Sequence, residues 1–415
     1  MLLFSSVAIS LSHTYHGVSM VPNTEKGWVV TSDTNGYVLH TPDCGLSWIS
    51  QSFSTSRYLY DVFFLNEQKG WVGTSDGFIY YSPNGGQNWY RQVMGLAYFA
   101  FRVLFINDTC GWVACSGAVI ARTVCGNDTV INGVIWQSTY LPYAADSIEL
   151  HGVSFINEQT GWFCTGHLPE FWWPDTNFTK GQGYIAVSND SGISWQLQKR
   201  DTINDFFDIK MLDSLNGFVI GGNDRTMSAT VMKTQNGGVT WQPLTIPSQA
   251  KYLRSMKIIG TNKIWAVGHS GTILHSDNGG NNWVLQTSPV DTILYDIDFS
   301  DSIHGLIAGD GCVLYTHDGG NSWHIANLGI EETRLPLIAN RIPLKIYPNP
   351  ATSIIHISCP FTVKEIKIFD VTGKLVKSEE LKGKSNRIPL KGIKSGVYFV
   401  KIGNQLVKEK IVVTK

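Results

Sequence analysis

Thr41-Pro-Asp43-Cys-Gly45-Leu-Ser-Trp48 is the first of six octets built alike. The others are Ser82-Pro-Asn84-Gly-Gly86-Gln-Asn-Trp89, Ser188-Asn-Asp190-Ser-Gly192-Ile-Ser-Trp195, Thr234-Gln-Asn236-Gly-Gly238-Val-Thr-Trp241, Ser276-Asp-Asn278-Gly-Gly280-Asn-Asn-Trp283 and Thr316-His-Asp318-Gly-Gly320-Asn-Ser-Trp323. Each keeps Ser or Thr first, Asp or Asn third, Gly fifth and Trp eighth. The Asp or Asn folds back onto nearby backbone N–H groups, Gly supplies the positive φ of a tight hairpin, and Trp opens the next strand with a large apolar surface. An eroded seventh copy ends at Trp136. The seven Trp then stand 41, 47, 59, 46, 42 and 40 residues apart.

A second element precedes each octet: an apolar strand, a short turn, then Gly and an aromatic residue. Phe64-Leu-Asn-Glu-Gln-Lys-Gly70-Trp71, Phe105-Ile-Asn-Asp-Thr-Cys-Gly111-Trp112 and Phe155-Ile-Asn-Glu-Gln-Thr-Gly161-Trp162 are the clear copies. Gly27-Trp28 and Trp265 serve the first and sixth repeats, with weaker versions at Gly217-Phe218 and Gly305-Leu306. These two elements account for twelve of the 14 Trp, leaving Trp172 and Trp173. A period of about 40–45 residues with four short strands marks a propeller blade. The last repeat carries its own outer strand, His324-Ile325-Ala326, so residues 1–14 are not needed to close the ring.

Composition agrees. The 415 residues are 43% hydrophobic, 12% aromatic and 16% charged, with 41 Gly, a mix that excludes disorder and suits an all-β protein with many turns. Net charge is −1, which gives no overall basic bias toward nucleic acid, and no apolar run of about 18 residues offers a spanning helix. The balance hides two halves. Residues 341–415 carry 15 Lys+Arg against 5 Asp+Glu, and residues 1–340 carry 17 against 28. The step from −11 to +10 predicts two domains.

The octets resemble the Asp-box, or bacterial neuraminidase, repeat. With the Gly-Trp element they resemble the photosystem II stability/assembly-factor-like propellers over roughly residues 15–330. That likeness is specific for fold and weak for function; members of this wide family occur far from photosynthesis. The C-terminal stretch holds Tyr347-Pro348-Asn349-Pro350-Ala351, Ile366-Lys-Ile-Phe-Asp370-Val-Thr-Gly373-Lys374 and Ser395-Gly396-Val-Tyr398-Phe-Val-Lys-Ile402, ending at Lys415. Its alternating apolar residues and Gly turns predict a small β-sandwich, and it resembles a type IX secretion C-terminal sorting domain of the A type. The resemblance implies passage through the periplasm, recognition of residues 346–415 by an outer-membrane translocon, and removal of that tail from a secreted or surface-attached protein. The expected organisation is all-β. Residues 1–14 are a truncated signal peptide or stray strand, 15–335 a seven-bladed β-propeller, 336–345 a linker and 346–415 a small Ig-like β-sandwich. Met1–Leu11 is apolar but lacks the basic start of a secretory signal.

Candidate sites are few. Aligning the innermost strands on Val18, Val62, Val103, Val153, Ile209, Met256 and Ile297 puts one preceding residue per blade on the channel: Gly17, Asp61, Arg102, Gly152, Asp208, Ser255 and Asp296. Three Asp and one Arg there can bind a polar ligand, or satisfy backbone donors and hold the channel together. The long fourth interval contains an insertion, roughly residues 166–183, with Phe171, Trp172 and Trp173 in a Pro-containing loop that either grips a partner or packs on its own blade. The expected partner is a surface glycan or an extracellular protein. Cys110 and Cys125 fall in turns at the same end of the third sheet, where a disulfide is geometrically possible; alternatively all seven Cys are small buried residues. No spacing suggests zinc, no Gly-rich loop opens a helix, and no cofactor is implied. The competing function is a glycan-active hydrolase using channel carboxylates. A sialidase would place an Arg-Ile-Pro motif before the first box; here it occurs only at Arg341–Pro343 and Arg387–Pro389.

Overall fold

In the computed structural model the chain divides into two compact units, Met1–Ile330 and Glu331–Lys415. The structure describes residues 13–328 apart from 33–35, 52, 54–56, 95–97, 127–134, 142–148, 167–182 and 224. It also describes residues 345–414 apart from 348–350, 359–364, 371–373, 381–384 and 403–404.

The described part of the first unit forms seven consecutive four-stranded sheets, each an antiparallel meander. The first runs Tyr15–Met20, Gly27–Thr31, Val38–Thr41, Ile49–Gln51. Apolar content sets the order. The first two strands are almost wholly buried, and the fourth is exposed or half-exposed. The remaining inner strands are Leu59–Phe64, Ala100–Phe105, Glu149–Phe155, Asp205–Met211, Leu253–Ile259 and Leu294–Phe299. The outer strand of the seventh sheet is its own His324–Ile325, so closure needs no borrowed strand. The first and last sheets meet directly. Val18 and Met20 N–H donate to Asp296 and Asp298 at 2.9 and 2.7 Å, and Tyr15, Val18 and Met20 share one core with Leu306, Ala308 and Val313.

The two sequence motifs lock each sheet to the next. Within a box, the first-place hydroxyl accepts from the fifth-place N–H (Thr41 from Gly45, 2.8 Å), and the third-place oxygen accepts from the seventh-place N–H (Asp43 from Ser47, 2.7 Å). The same pair recurs in the other five boxes. The fifth-place glycines are left-handed, with φ of 95° at Gly45 and 87° at Gly192. From the preceding sheet, the Gly-Trp indole crosses over: Trp28, Trp112, Trp162 and Trp265 donate to the fourth-place carbonyls of Gly85, Ser191, Gly237 and Gly319 at 2.9–3.3 Å. Trp28, Trp71 and Trp112 also stack at 3.6 Å on Phe64, Phe105 and Phe155, which end the next sheet's inner strand.

The eroded third box becomes legible here. Trp71 donates to Gly126 O at 2.7 Å, and Cys125 N–H bonds the Thr123 hydroxyl at 3.0 Å, so Cys125 stands where the other boxes have Asp or Asn. Gly126 N–H reaches Thr109 O at 2.8 Å, bringing the two Cys-bearing turns together. Even so, both thiols are unlinked, so the disulfide held open as one of two possibilities is not formed. Cys110 Sγ instead accepts from the Thr109 hydroxyl at 3.8 Å. Cys44, Cys115, Cys164 and Cys312 are buried free thiols, and burial pushes Cys44 and Cys115 up to about 12.

The second unit has a three-stranded sheet (Lys345–Tyr347, Ile354–Ser358, Ser385–Pro389) and a four-stranded one (Leu375–Glu380, Glu365–Asp370, Gly396–Ile402, Gln405–Val413). Ile355 and Ile388 of the first and Ile368, Tyr398 and Val413 of the second are buried, as the alternating pattern predicts. A bridge between Ala351 and Val413 ties the sheets together.

Candidate functional site: the channel and its mouth

The channel is built by the inner strands, and the residues aligned there from sequence do face one another. Their carboxylates are spent on neighbouring sheets. Asp61 Oδ2 accepts from Val103 N–H at 2.7 Å, Asp208 Oδ2 from Met256 N–H at 2.9 Å, and Asp296 Oδ2 from Val18 N–H at 2.9 Å. One residue past the alignment point, Ser19 and Ser154 do the same for Phe64 and Met211, both at 2.9 Å. Gly17 and Gly152 are needed because a Cβ on either would sit under 3.0 Å from the backbone of Asp61 or Asp208.

Arg102 crosses the channel. Its Nη1 lies 2.9 Å from Asp296 on the seventh sheet and 3.6 Å from Asp61 on the second. Lys210 pairs with Asp208 at 3.0 Å and Lys257 with Asp298 at 2.5 Å. Burial pushes Asp61 up to about 7, a rise opposed by the Arg102 charge and reinforced by Asp296. Asp296 is buried too, but Arg102 and the Ser255 hydroxyl hold it below the usual carboxylate range. With Asp61 neutral, three formal negative charges face three positive ones. Asp61, Arg102, Lys210, Lys257, Asp296 and Asp298 line a cavity of ≈ 120 Å³, room for a few water molecules or a small polar ligand.

At the end where each inner strand begins lies a feature that the sequence reading missed. Every inner strand carries one β-bulge, always just before the aligned position. The extra residues are His16, Tyr60, Phe101, His151, Phe207, Arg254 and Tyr295, and they form a closed collar. Ring centroids are 5.4 Å apart for His16–Tyr60, 5.2 Å for Tyr60–Phe101, 5.6 Å for Phe101–His151 and 4.1 Å for His151–Phe207. The Arg254 guanidinium lies 4.5 Å from Phe207 and 5.9 Å from Tyr295, and Tyr295 stacks on His16 at 4.7 Å. A bulge re-aims a side chain; seven in register turn two successive residues per sheet toward the channel. Burial pushes His16 down to about 4, although its Nδ1–H donates to Tyr60 O at 2.9 Å. The signal lay in the alignment, one position further back.

The collar is uneven. Over the fifth and sixth sheets it is filled by Phe207, Tyr252, Arg254 and His269, all buried, with Arg254 Nε donating to His269 at 3.2 Å. Over the first three sheets His16, Tyr60 and Phe101 are half-buried, and Tyr58 and Phe99, just before the inner strands of the second and third sheets, are each 42% exposed. Phe171, Trp172 and Trp173 lie outside the described residues. Their insertion leaves at Gly166 and returns at Gly183, both at this same end. Among the described residues, no cluster of His, Cys, Asp or Glu could hold a metal ion, and no helix is long and apolar enough to cross a membrane.

Residues 345–414 match the family described as the secretion system C-terminal sorting domain. Residues 185–288 match that of the photosynthesis system II assembly factor YCF48. Among curated proteins, the photosystem II assembly lipoprotein Ycf48 of Synechococcus sp. is 28% identical over 100 residues, 23% of this chain and 28% of that protein, so the chain spans under a third of that relative's length. Two solved YCF48 structures superpose on the chain. One, bound to D1 peptide, has TM-score 0.55 and 16% identity over 74% of this chain and 93% of that one. The other, from Cyanidioschyzon merolae, has TM-score 0.56 and 18% identity over 75% and 98%. The WD40 β-propeller domain of Doa1 superposes with TM-score 0.52 and 12% identity over 75% and 97%. The chain thus joins a propeller resembling photosystem II assembly factors to a C-terminal sorting domain.

Proposed function

We propose that this chain is a seven-bladed propeller that works outside the cell as a binding or scaffold module for another protein. Its C-terminal unit delivers it through the periplasm to the type IX translocon and is then removed. The observation that carries the reading is the sorting-domain match over residues 345–414, attached to a propeller whose channel carboxylates bond neighbouring sheets or pair with Arg102, Lys210 and Lys257. A protein partner is favoured because one YCF48 structure of this fold holds a peptide. The collar end, with the Phe171–Trp173 insertion attached beside it, is the face we assign to binding.

Mass-spectrometric mapping of both termini, on protein from medium, cell surface and cell interior, tests delivery. Loss of residues near 346–415 outside the cell is expected; an intact tail on protein retained inside would sink the export reading. Hydrolysis of a glycan panel by the purified chain, lost on Asp→Asn changes at Asp61, Asp208 or Asp296, would instead establish the hydrolase.

A further inference from the structure

Within the face assigned to binding, one aromatic patch has a definite chemistry. Tyr60, Phe99 and Phe101 form a continuous aromatic wall over the second and third sheets, with centroids 5.9 Å apart for Tyr60–Phe99 and 6.2 Å for Phe99–Phe101, and exposed Tyr58 precedes Tyr60 by two residues. Glu149 opens the inner strand of the fourth sheet, two residues before His151 of the collar. The Glu149 charge acts on the Tyr60 hydroxyl, which burial already pushes up to about 12. Glu149 Oε2 is shielded from solvent, accepts no hydrogen bond, and lies 3.8 Å from His151 Nε2. Among the described residues of the first unit, the four exposed aromatic side chains are Tyr37, Tyr58, Phe99 and Tyr140, and strand order places all four at this end. The opposite half of the collar already holds a cation in this way, with Arg254 lying over Phe207 and Tyr295.

We propose that this open half of the vestibule receives a cationic side chain, the ammonium of Lys or the guanidinium of Arg, presented by a partner protein. The proposal rests on the protein-binding reading above. Ring faces carry the negative side of the aromatic quadrupole and attract a cation, the Glu149 carboxylate once ionised supplies an acceptor whose Oε2 takes no hydrogen bond within the fold, and the −11 balance of residues 1–340 favours approach of a basic partner. Burial pushes Glu149 up to about 7 against the pull of Arg254. A bound cation favours the ionised form, so affinity rises between about pH 6 and pH 8. The other groups around the vestibule are His151 on the same strand, Tyr58 and Tyr60, His16, Asp205 and Arg254.

The test is titration of the full chain, by saturation-transfer NMR and fluorescence, with acetyl-Gly-Lys-Gly-amide and its norleucine analogue. The lysine peptide is expected to bind at least about tenfold more tightly. Glu149→Gln and Phe99→Ala should each weaken it by about five- to tenfold while leaving the unfolding midpoint in place, and Tyr140→Phe should change nothing. Equal affinity for the norleucine peptide overturns the proposal, as does no saturation by about 10 mM. So does preferential binding of a neutral oligosaccharide that Phe99→Ala abolishes. Failed titrations with a normally processed tail would sink the vestibule alone; a retained tail would sink the export reading and leave the titrations standing.

Discussion

Arg102 has two carboxylates within reach on sheets that do not touch each other, and that places the heaviest demand on any residue of the channel. Arg102→Met would leave Asp296 charged and buried without its partner, and should cost about 3–5 kcal/mol in denaturant unfolding. Asp61 behaves differently. The folded state keeps its proton up to about pH 7, whereas the unfolded chain releases it near pH 4. The folded form holds the extra proton across that window, so stability falls as pH rises through it. Asp61→Asn, which still accepts from Val103 N–H, should remove that part of the slope; unfolding midpoints at pH 5 and 8 would show it. The box carboxylates act on the opposite limb. Asp43, Asp190 and Asp318 bear a small burial penalty, but hydrogen bonds from Ser47, Ser194 and Ser322 hold them below their usual value. Their contribution is present above about pH 4 and lost as pH falls through the folded value. Backbone strain gives a milder test. Ser191 adopts φ 67° where most boxes have Gly, and Ser191→Gly should raise stability by about 0.5–1 kcal/mol.

Among the elements, the pairing of Gly-Trp turn with box is what makes each sheet depend on the next. Trp112 donates to Ser191 at 2.9 Å and stacks on Phe155. Trp112→Phe keeps part of the stack and leaves the Ser191 carbonyl without its donor, which should destabilise by about 2 kcal/mol in equilibrium unfolding. Both partners were readable in sequence, since each recurs in register. That they bond to one another was not, because the two lie 79 residues apart. The third box shows the reverse limit. Its first four places survive as Thr123–Gly126, but Cys125 replaces the acid, and the Trp71 and Thr123 bonds locate the turn of a copy that the sequence marked only by Trp136. The bulges are the largest omission. Strict alternation sends the residue before Asp61 or Arg102 away from the channel, and one inserted residue per inner strand reverses that. The collar follows from a backbone irregularity that no side-chain pattern declares.

For the whole molecule, ring closure and the two-unit division carry different consequences. Among the described residues, six of the seven sheet junctions carry a channel hydrogen bond between an inner-strand side chain and the adjacent sheet, including the last-to-first junction through Asp296 and Asp298. The first unit should therefore unfold as one cooperative block. Truncation after Ile330 should leave its calorimetric transition within a few degrees of that in the full chain, because residues 1–330 form a compact unit of their own. Repeats, turn chemistry and the charge step were enough to indicate an all-β protein with two parts, and the resemblance carried by the C-terminal motifs added a sorting tail. Those properties reside in local spacing and composition, which a chain carries whether folded or not. The tertiary structure alone decided that Arg102 spans the channel, that Cys110 and Cys125 stay free, and that seven bulged residues form an uneven collar with Glu149 at its open side. Each of these depends on distances between sheets, set by how Trp and Phe pack across the junctions, and residues far apart in sequence acquire those distances only when the ring closes.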